Sequence, residues 1–264
     1  MAFTAVNEED EYNAAHTAHD VEELQRRWFD VASRVGWKIA PFAKEGEAVI
    51  YALTSPGWTN EGEWDVYFCA GVHGDEPAAM WGLLEWAEEN VEAMKSLSGL
   101  IVPCLNPRGI AANTRVDGTG RDMNRVFHDD RESVICEWKQ LVGEARFRLA
   151  LTLHEDYDAQ GCYLYEIVGQ KGFIGEQILA ASAEFLPTDT RAEIDDSEAS
   201  GGIIRGELDP EMFKEMGTPE AVYLHFHHAD QTLTFETPSE HSLFRRVRAH
   251  VAAISGALQS AKLL

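Results

Sequence analysis

The chain has 264 residues, 45% of them apolar, and carries 22 basic against 45 acidic side chains for a formal net charge of -23. That length builds one sizeable core and falls short of two ordinary domains, so residues 1–264 are expected to form a single domain. A chain this acidic repels a polyphosphate backbone and an anionic membrane surface, which excludes nucleic acid and lipid headgroups as expected partners.

The N-terminus, MAFTAVNEEDEYNAAH, lacks the basic start and apolar run of a targeting peptide. From Asn7 to Val35, helix formers with Val21, Leu24, Trp28, Val31 and Val35 at helical spacing predict one amphipathic helix ending at Gly36, so residues 1–36 form a helical segment packed on the rest. Short β-rich runs follow at 37–42, 47–54 and 64–70, then a helix at 76–95 and a strand, LIVPCL, at 100–105. A long polar loop leads to a helix at 131–146, a strand, LALTLH, at 149–154, and a helix at 172–186. Residues 187–219, rich in Gly, Asp, Glu and Pro, read as a long loop and a candidate lid. Strands at 220–226 and 231–236 and a helix at 239–261 complete the chain.

Alternation of this kind implies an α/β fold: a three-layer α/β/α sandwich with a mixed, mainly parallel twisted sheet, and ligands at the carboxyl ends of strands. No run approaches the roughly 18 apolar residues that span a bilayer. Cys69, Cys104, Cys136 and Cys162 show no C-x-x-C pair and read as buried hydrophobes of a reducing compartment. A soluble, cytoplasmic protein is the expectation, and its oligomeric state is left open.

The chemistry gathers at strand ends. In VHGDEP, His73 and Glu76 follow the apolar WDVYFCAGV, with Pro77 at a helix start that tolerates its missing N–H. His154 closes LALTLH at the same topological level. Two histidines and one carboxylate suit an open zinc site whose fourth position is left for water, although a lone H-x-x-E also arises by chance. Arg115, Arg121 and Arg125 fall within eleven positions of a chain poor in basic groups. They suggest an anion site, because guanidinium grips a carboxylate bidentately; the plainer alternative is a loop pairing with surface acids. Glu236 ends the strand TLTFE, where partial desolvation raises a carboxyl toward the range useful to a general base. Asp75 reads as a helix-start acid that suits the dipole. His225, His227 and His228 look like ligands, but on an alternating strand they face opposite sides.

The ordered set VHGDEP, NPRG, ANTR, GRDMNRVF, LTLHED and TFETP resembles the zinc carboxypeptidases, the carboxypeptidase A-like metallopeptidases related to aspartoacylase and succinylglutamate desuccinylase. The resemblance covers about residues 64 to 240. It implies one zinc ion per chain held by His73, Glu76 and His154, with Asp122 accepting the other ring proton of His73. Arg115 then matches the residue that stabilises the oxyanion, Asn124 and Arg125 the pair that receives a free carboxylate, and Glu236 the base that activates water. Arg121 sits where the larger peptidases carry an apolar residue and is a second-rank anion contact. Arg205 reads as a salt-bridged loop arginine or a reader of an acidic substrate group. The family's mobile tyrosine has no clear counterpart; Tyr223 is nearest in order but reads as a strand residue.

The function so implied is a zinc-dependent hydrolase of an amide bond beside a free carboxylate, a metallocarboxypeptidase acting on peptides. An aspartoacylase-like deacylase of N-acyl amino acids is the alternative, and a non-catalytic binding protein on the same fold is a second.

Overall fold

Asn7 and Asp20 each turn a side-chain oxygen onto a backbone N–H three residues on, at 2.8 and 2.9 Å, and so start two helices. These are α1 (Glu8–Ala15) and α2 (Val21–Val35). The computed structural model describes residues 7–168, 172–206, 208 and 211–264. The single helix expected over 7–35 is therefore corrected. His16 leaves the helix in an extended conformation, its ring meets Trp81 edge-on at 4.2 Å, and Trp81 Nε1 donates to Ala18 O at 2.8 Å. Docking onto the Trp81 ring takes up the residues that would have continued the helix.

In chain order there follow β1 (Lys38–Glu45), β2 (Ala48–Thr54), β3 (Glu63–Ala70), α3 (Pro77–Glu89), α4 (Val91–Ser96), β4 (Gly99–Val102) and α5 (Pro107–Ala112). After a 3-10 turn at Met123–Arg125 come α6 (Ser133–Val142), β5 (Arg146–Asp156), β6 (Tyr163–Val168), α7 (Gly175–Ser182), β7 (Glu193–Ile194), β8 (Ser197–Ser200) and β9 (Ile203–Ile204). The last elements are α8 (Met212–Met216), α9 (Glu220–His227), β10 (Gln231–Pro238) and α10 (Leu243–Ser260).

The strands form one sheet in the order β1-β2-β4-β3-β5-β10-β6-β9-β8-β7. Its centre, β4-β3-β5-β10, is parallel, and antiparallel pairs flank it at β2/β4 and β10/β6. Alternation along β3 shows why both faces are covered. Val66, Phe68 and Ala70 pack with Trp28, Trp81, Ile178 and Ile254 from α2, α3, α7 and α10. Tyr67 and Cys69 pack on the other side with Ile135, Trp138 and Leu224 from α6 and α9. A strand buried on both faces reads as the continuous apolar run seen in its sequence. The α/β/α fold class is as expected.

Three further expectations change. Residues 220–226, read as a strand, form α9: Pro219 takes the N-cap position, Glu220 opens the first turn, and Ala221, Val222 and Leu224 are buried. The start signal outweighs an alternation that is too short to decide between periods. The strand β6, which the sequence reading passed over, pairs antiparallel with β10. Residues 187–219 are not one structureless loop, since β7, β8 and β9 extend the sheet and Asp195 and Asp196 turn the β7/β8 hairpin at φ 49° and 55°; residues 207, 209 and 210 of that stretch lie outside the described ones.

Candidate metal and catalytic centre

Strands β3, β5 and β10 are parallel neighbours, so the segments leaving them share one edge of the sheet. Ala70 pairs with Leu153 and Glu236 with His154, which sets three chemically active segments at one level. After β3 the chain turns at Gly71 (φ 64°), and Gly74 closes on α5: a Cβ there would lie 2.0 Å from Gly109 C. Only glycine permits that approach. Pro77 then starts α3, with Glu76 at its N-cap position but making no side-chain cap.

The Glu76 carboxylate is instead bridged by two imidazoles. His73 Nδ1 lies 2.6 Å from Glu76 Oε1 and His154 Nδ1 2.7 Å from Glu76 Oε2. One ligand atom from each of the three lies within 4.8 Å of the others, and the residues are only 2–4% exposed. On the far side of the His73 ring, Nε2 meets Asp122 Oδ1 at 3.1 Å, the contact that fixes which nitrogen faces inward. Two nitrogens and a carboxylate oxygen, buried, convergent and oriented from behind, fit a divalent metal with an open coordination position.

Electrostatics supports that fit. Burial alone would lower the pKa of His73, but the Glu76 charge and hydrogen bonds donated to Asp122 and Glu76 raise it to about 9. His154 is raised against burial by Glu76 and Glu236. Burial would raise Glu76, yet the two imidazoles hold it well below the usual carboxylate range. The pocket therefore favours positive charge between these side chains, whether protons or a metal ion supply it.

Arg115 lies beside this cluster. Its Nη1 is 3.5 Å from Glu76 Oε1, its Nη2 is 3.1 Å from Asp122 Oδ2, and its side chain stays 41% exposed. Glu236, at the end of β10, is 9% exposed, and its Oε2 has no hydrogen-bond partner among the described residues. Burial pushes its pKa up to about 8, with His154 opposing.

The arginines read as an anion site divide. Arg125 is exposed; its Nη1 donates to Asn124 O at 2.9 Å, and it lies near enough to Asp122 to help hold that acid low. Asn124 Oδ1 accepts the Glu220 backbone N–H at 2.9 Å. Arg121, read as a second-rank anion contact, pairs its guanidinium with Glu132 and donates from Nε to Thr119 Oγ1 at 3.1 Å. Arg205 is likewise occupied, by Glu166 and by Glu176 at 2.9 Å. Tyr223 sits on α9, its ring 5.8 Å from that of Trp138. The three histidines of LHFHHAD lie on or beside α9 rather than on a strand, and His228 Nδ1 bonds Ala145 O at 3.0 Å.

The sequence reading missed two groups around the site. Glu155, fully buried, takes the Ala78 N–H at 2.6 Å and pairs with Arg246 of α10, tying the two ligand segments together. On the other side of Glu236, Tyr163 is its register partner on β6. Tyr163 donates to Asp156 Oδ2 at 3.0 Å, and Tyr165 donates to Asp195. The alternation YLYE was the available signal, but the partner carboxylates come from distant turns.

The fold is the α/β fold of the solved metallopeptidase and carboxypeptidase structures that the chain resembles, and its His-Glu-His cluster could hold a metal ion. Residues 63–183 match the family model for the succinylglutamate desuccinylase/aspartoacylase catalytic domain. The chain is similar in structure to a provisionally named metallopeptidase of Shewanella amazonensis, at 23% identity and TM-score 0.78, covering 92% of this chain and 93% of that one. A second provisionally named metallopeptidase, from Shewanella denitrificans, matches at 20% identity and TM-score 0.79, covering 94% and 92%. A metallo-carboxypeptidase from Pseudomonas aeruginosa, solved with (2-guanidinoethylmercapto)succinic acid, matches at 15% identity and TM-score 0.56, covering 90% and 69%. At such identities the structural likeness is one of fold. No curated protein matches significantly. The resemblance read from the motifs, to the zinc carboxypeptidases and their aspartoacylase relatives, is borne out.

Proposed function

We propose that this protein is a zinc-dependent hydrolase that cleaves an amide bond beside a free carboxylate, acting on peptides as a metallocarboxypeptidase. The observation that carries this reading is the convergence of His73, Glu76 and His154 within 4.8 Å, one strand away from a buried carboxylate, Glu236, whose Oε2 has no hydrogen-bond partner among the described residues. A metal ion held by His73, Glu76 and His154, one per chain, would supply Lewis acidity that makes water acidic near neutral pH. Glu236 takes the proton of the attacking water and returns it to the leaving amine, a role suited to a carboxyl raised to about 8. Arg115, part-exposed between Glu76 and Asp122, donates to the charge that develops on the carbonyl oxygen. Arg125, which meets no carboxylate among the described residues, pairs with the substrate's carboxylate while Asn124 orients it.

Asp156 and Asp195, held by Tyr163 and Tyr165 beside Glu236, favour peptides over doubly acidic acyl amino acids. Arg121 and Arg205, the other arginines considered for anion binding, are occupied by glutamates. The second reading, a deacylase of N-acyl amino acids, is favoured by the family match over 63–183. We read the whole chain as one catalytic domain, with α1 and α2 packed on it and the 187–219 segment flanking the base. The unpaired cysteines suit a reducing compartment, for which we propose the cytoplasm.

Metal analysis of the purified protein, with hydrolysis of blocked dipeptides, their C-terminal amides and N-acyl amino acids, tests the reading. We expect one zinc per chain and cleavage of free-carboxylate peptides but not of the amides. Cleavage confined to acyl amino acids establishes the deacylase instead, and stoichiometric metal with no hydrolysis establishes a binding protein.

A further inference from the structure

The carboxylate-binding pair Asn124–Arg125 lies on a short 3-10 turn, a poor platform by itself, so something must fix it. The segment before α9 is laid against it. Thr218 N donates to Arg125 O at 2.9 Å, and Phe127 N donates to Thr218 O at 3.2 Å. Glu220 N donates to Asn124 Oδ1 at 2.9 Å. The approach is close enough that a Cβ on Gly217 (φ 84°) would stand 2.4 Å from Arg125 O. The turn therefore moves only as the 217–220 segment moves.

That segment is in turn anchored from below. Glu220 is fully buried, an unusual place for the first residue of a helix, where a carboxylate normally sits in water near the dipole. Its Oε1 accepts the Tyr67 hydroxyl, and the Tyr67 oxygen accepts Trp138 Nε1–H at 2.8 Å. Tyr67 lies in the middle of β3, the strand that leads to His73 and Glu76, and Trp138 lies on α6. One buried side chain thus links the rigid strand behind the metal ligands to the turn that carries Arg125. Burial also pushes the Glu220 carboxyl up, which suits a group held in place by hydrogen bonds rather than by charge.

We propose that Glu220 is a positioning residue that sets the Asn124–Arg125 pair at its distance from the metal ligands and thereby determines affinity for the substrate's carboxylate. It does not touch the substrate. The inference rests on the reading of Arg125 as carboxylate receptor given above.

Steady-state kinetics on a blocked dipeptide with a free carboxylate tests it, using the zinc-loaded full chain, its Glu220→Ala, Glu220→Gln and Tyr67→Phe variants, and Arg125→Ala beside them. Binding of the same dipeptide to the metal-free proteins, measured by calorimetry, gives a readout that needs no turnover. Misplacing the receptor should raise KM and Kd in Glu220→Ala by roughly tenfold or more, within the hundredfold that about 1 Å can cost, while kcat and zinc content hold. Glu220→Gln keeps an acceptor for Tyr67 and should restore most of the affinity. Tyr67→Phe preserves the ring and should show a smaller rise, which keeps the inference testable if the alanine variant does not fold. If Arg125→Ala leaves affinity unchanged, the receptor reading fails and the inference with it. If Arg125→Ala weakens binding while Glu220→Ala and Tyr67→Phe do not, the inference alone is overturned. A fall in kcat and metal content with unchanged KM also overturns it, since that is the signature of a structural residue beneath the metal.

Discussion

Glu236→Gln is the most informative single substitution, because activity and stability should move in opposite directions. The change is isosteric and removes the base, so turnover should fall by roughly 100- to 10,000-fold. Zinc content should hold, because Glu236 is not among the converging ligands. The stability effect follows from the raised carboxyl. Glu236 titrates near 4.5 when unfolded and near about 8 in the metal-free fold. Between those values the folded state holds a proton that the unfolded state has lost, so the group's contribution is full below 4.5 and is lost as pH rises toward 8. From pH 5 to pH 7 the loss amounts to a few kcal/mol, on the order of 2–3. Urea unfolding of chelator-treated wild type and Glu236→Gln at both pH values isolates it. Any pH-independent cost of burying an amide cancels, and the variant's relative stability should rise by roughly 2–3 kcal/mol between pH 5 and pH 7. A difference that stays flat with pH refutes the raised carboxyl, and near-normal turnover with zinc bound refutes the base.

Arg246→Met strands the buried Glu155 without its partner and should cost about 3–5 kcal/mol in urea unfolding. Because Glu155 also holds the Ala78 N–H behind Glu76, zinc affinity in a chelator competition should fall as well; a stability change under about 1 kcal/mol would show that the pair is dispensable. His250 is fully buried, its Nδ1 without a hydrogen-bond partner among the described residues, and burial lowers its pKa from 6.5 to about 3. Its contribution is therefore present above pH 6.5 and lost as pH falls toward 3, about 2 kcal/mol of it between pH 7 and pH 5. His250→Gln should flatten that part of the acid limb in pH-dependent thermal unfolding, and an unchanged acid limb would count against a neutral buried imidazole.

The candidate triad was legible in the sequence because each member sits at a boundary that local rules mark. His73 follows an apolar strand, Glu76 precedes a proline at a helix start, and His154 closes another apolar run. The place of Glu236 at a strand end was legible for the same reason, and the α/β/α class followed from the alternation of elements. Short stretches were less secure. EAVYLHFH is too short to decide between periods, and the helix start at Pro219 with burial of Ala221, Val222 and Leu224 settled it as α9. Arg121 shows the complementary limit: charge and spacing marked it for an anion, but the partner it takes, Glu132, lies in the same chain.

Only the tertiary structure decided what surrounds the site. The Glu155–Arg246 pair, the Tyr163–Asp156 and Tyr165–Asp195 contacts, and the Trp138–Tyr67–Glu220 chain join residues far apart in sequence. No local periodicity encodes such pairings, because a buried polar group must be satisfied by whatever the fold brings next to it. The sequence by itself determined which residues can hold a metal and act as base, since those depend on residue type and on strand ends. The pairing of three parallel strands decided how close they come, and so whether the same residues form one centre.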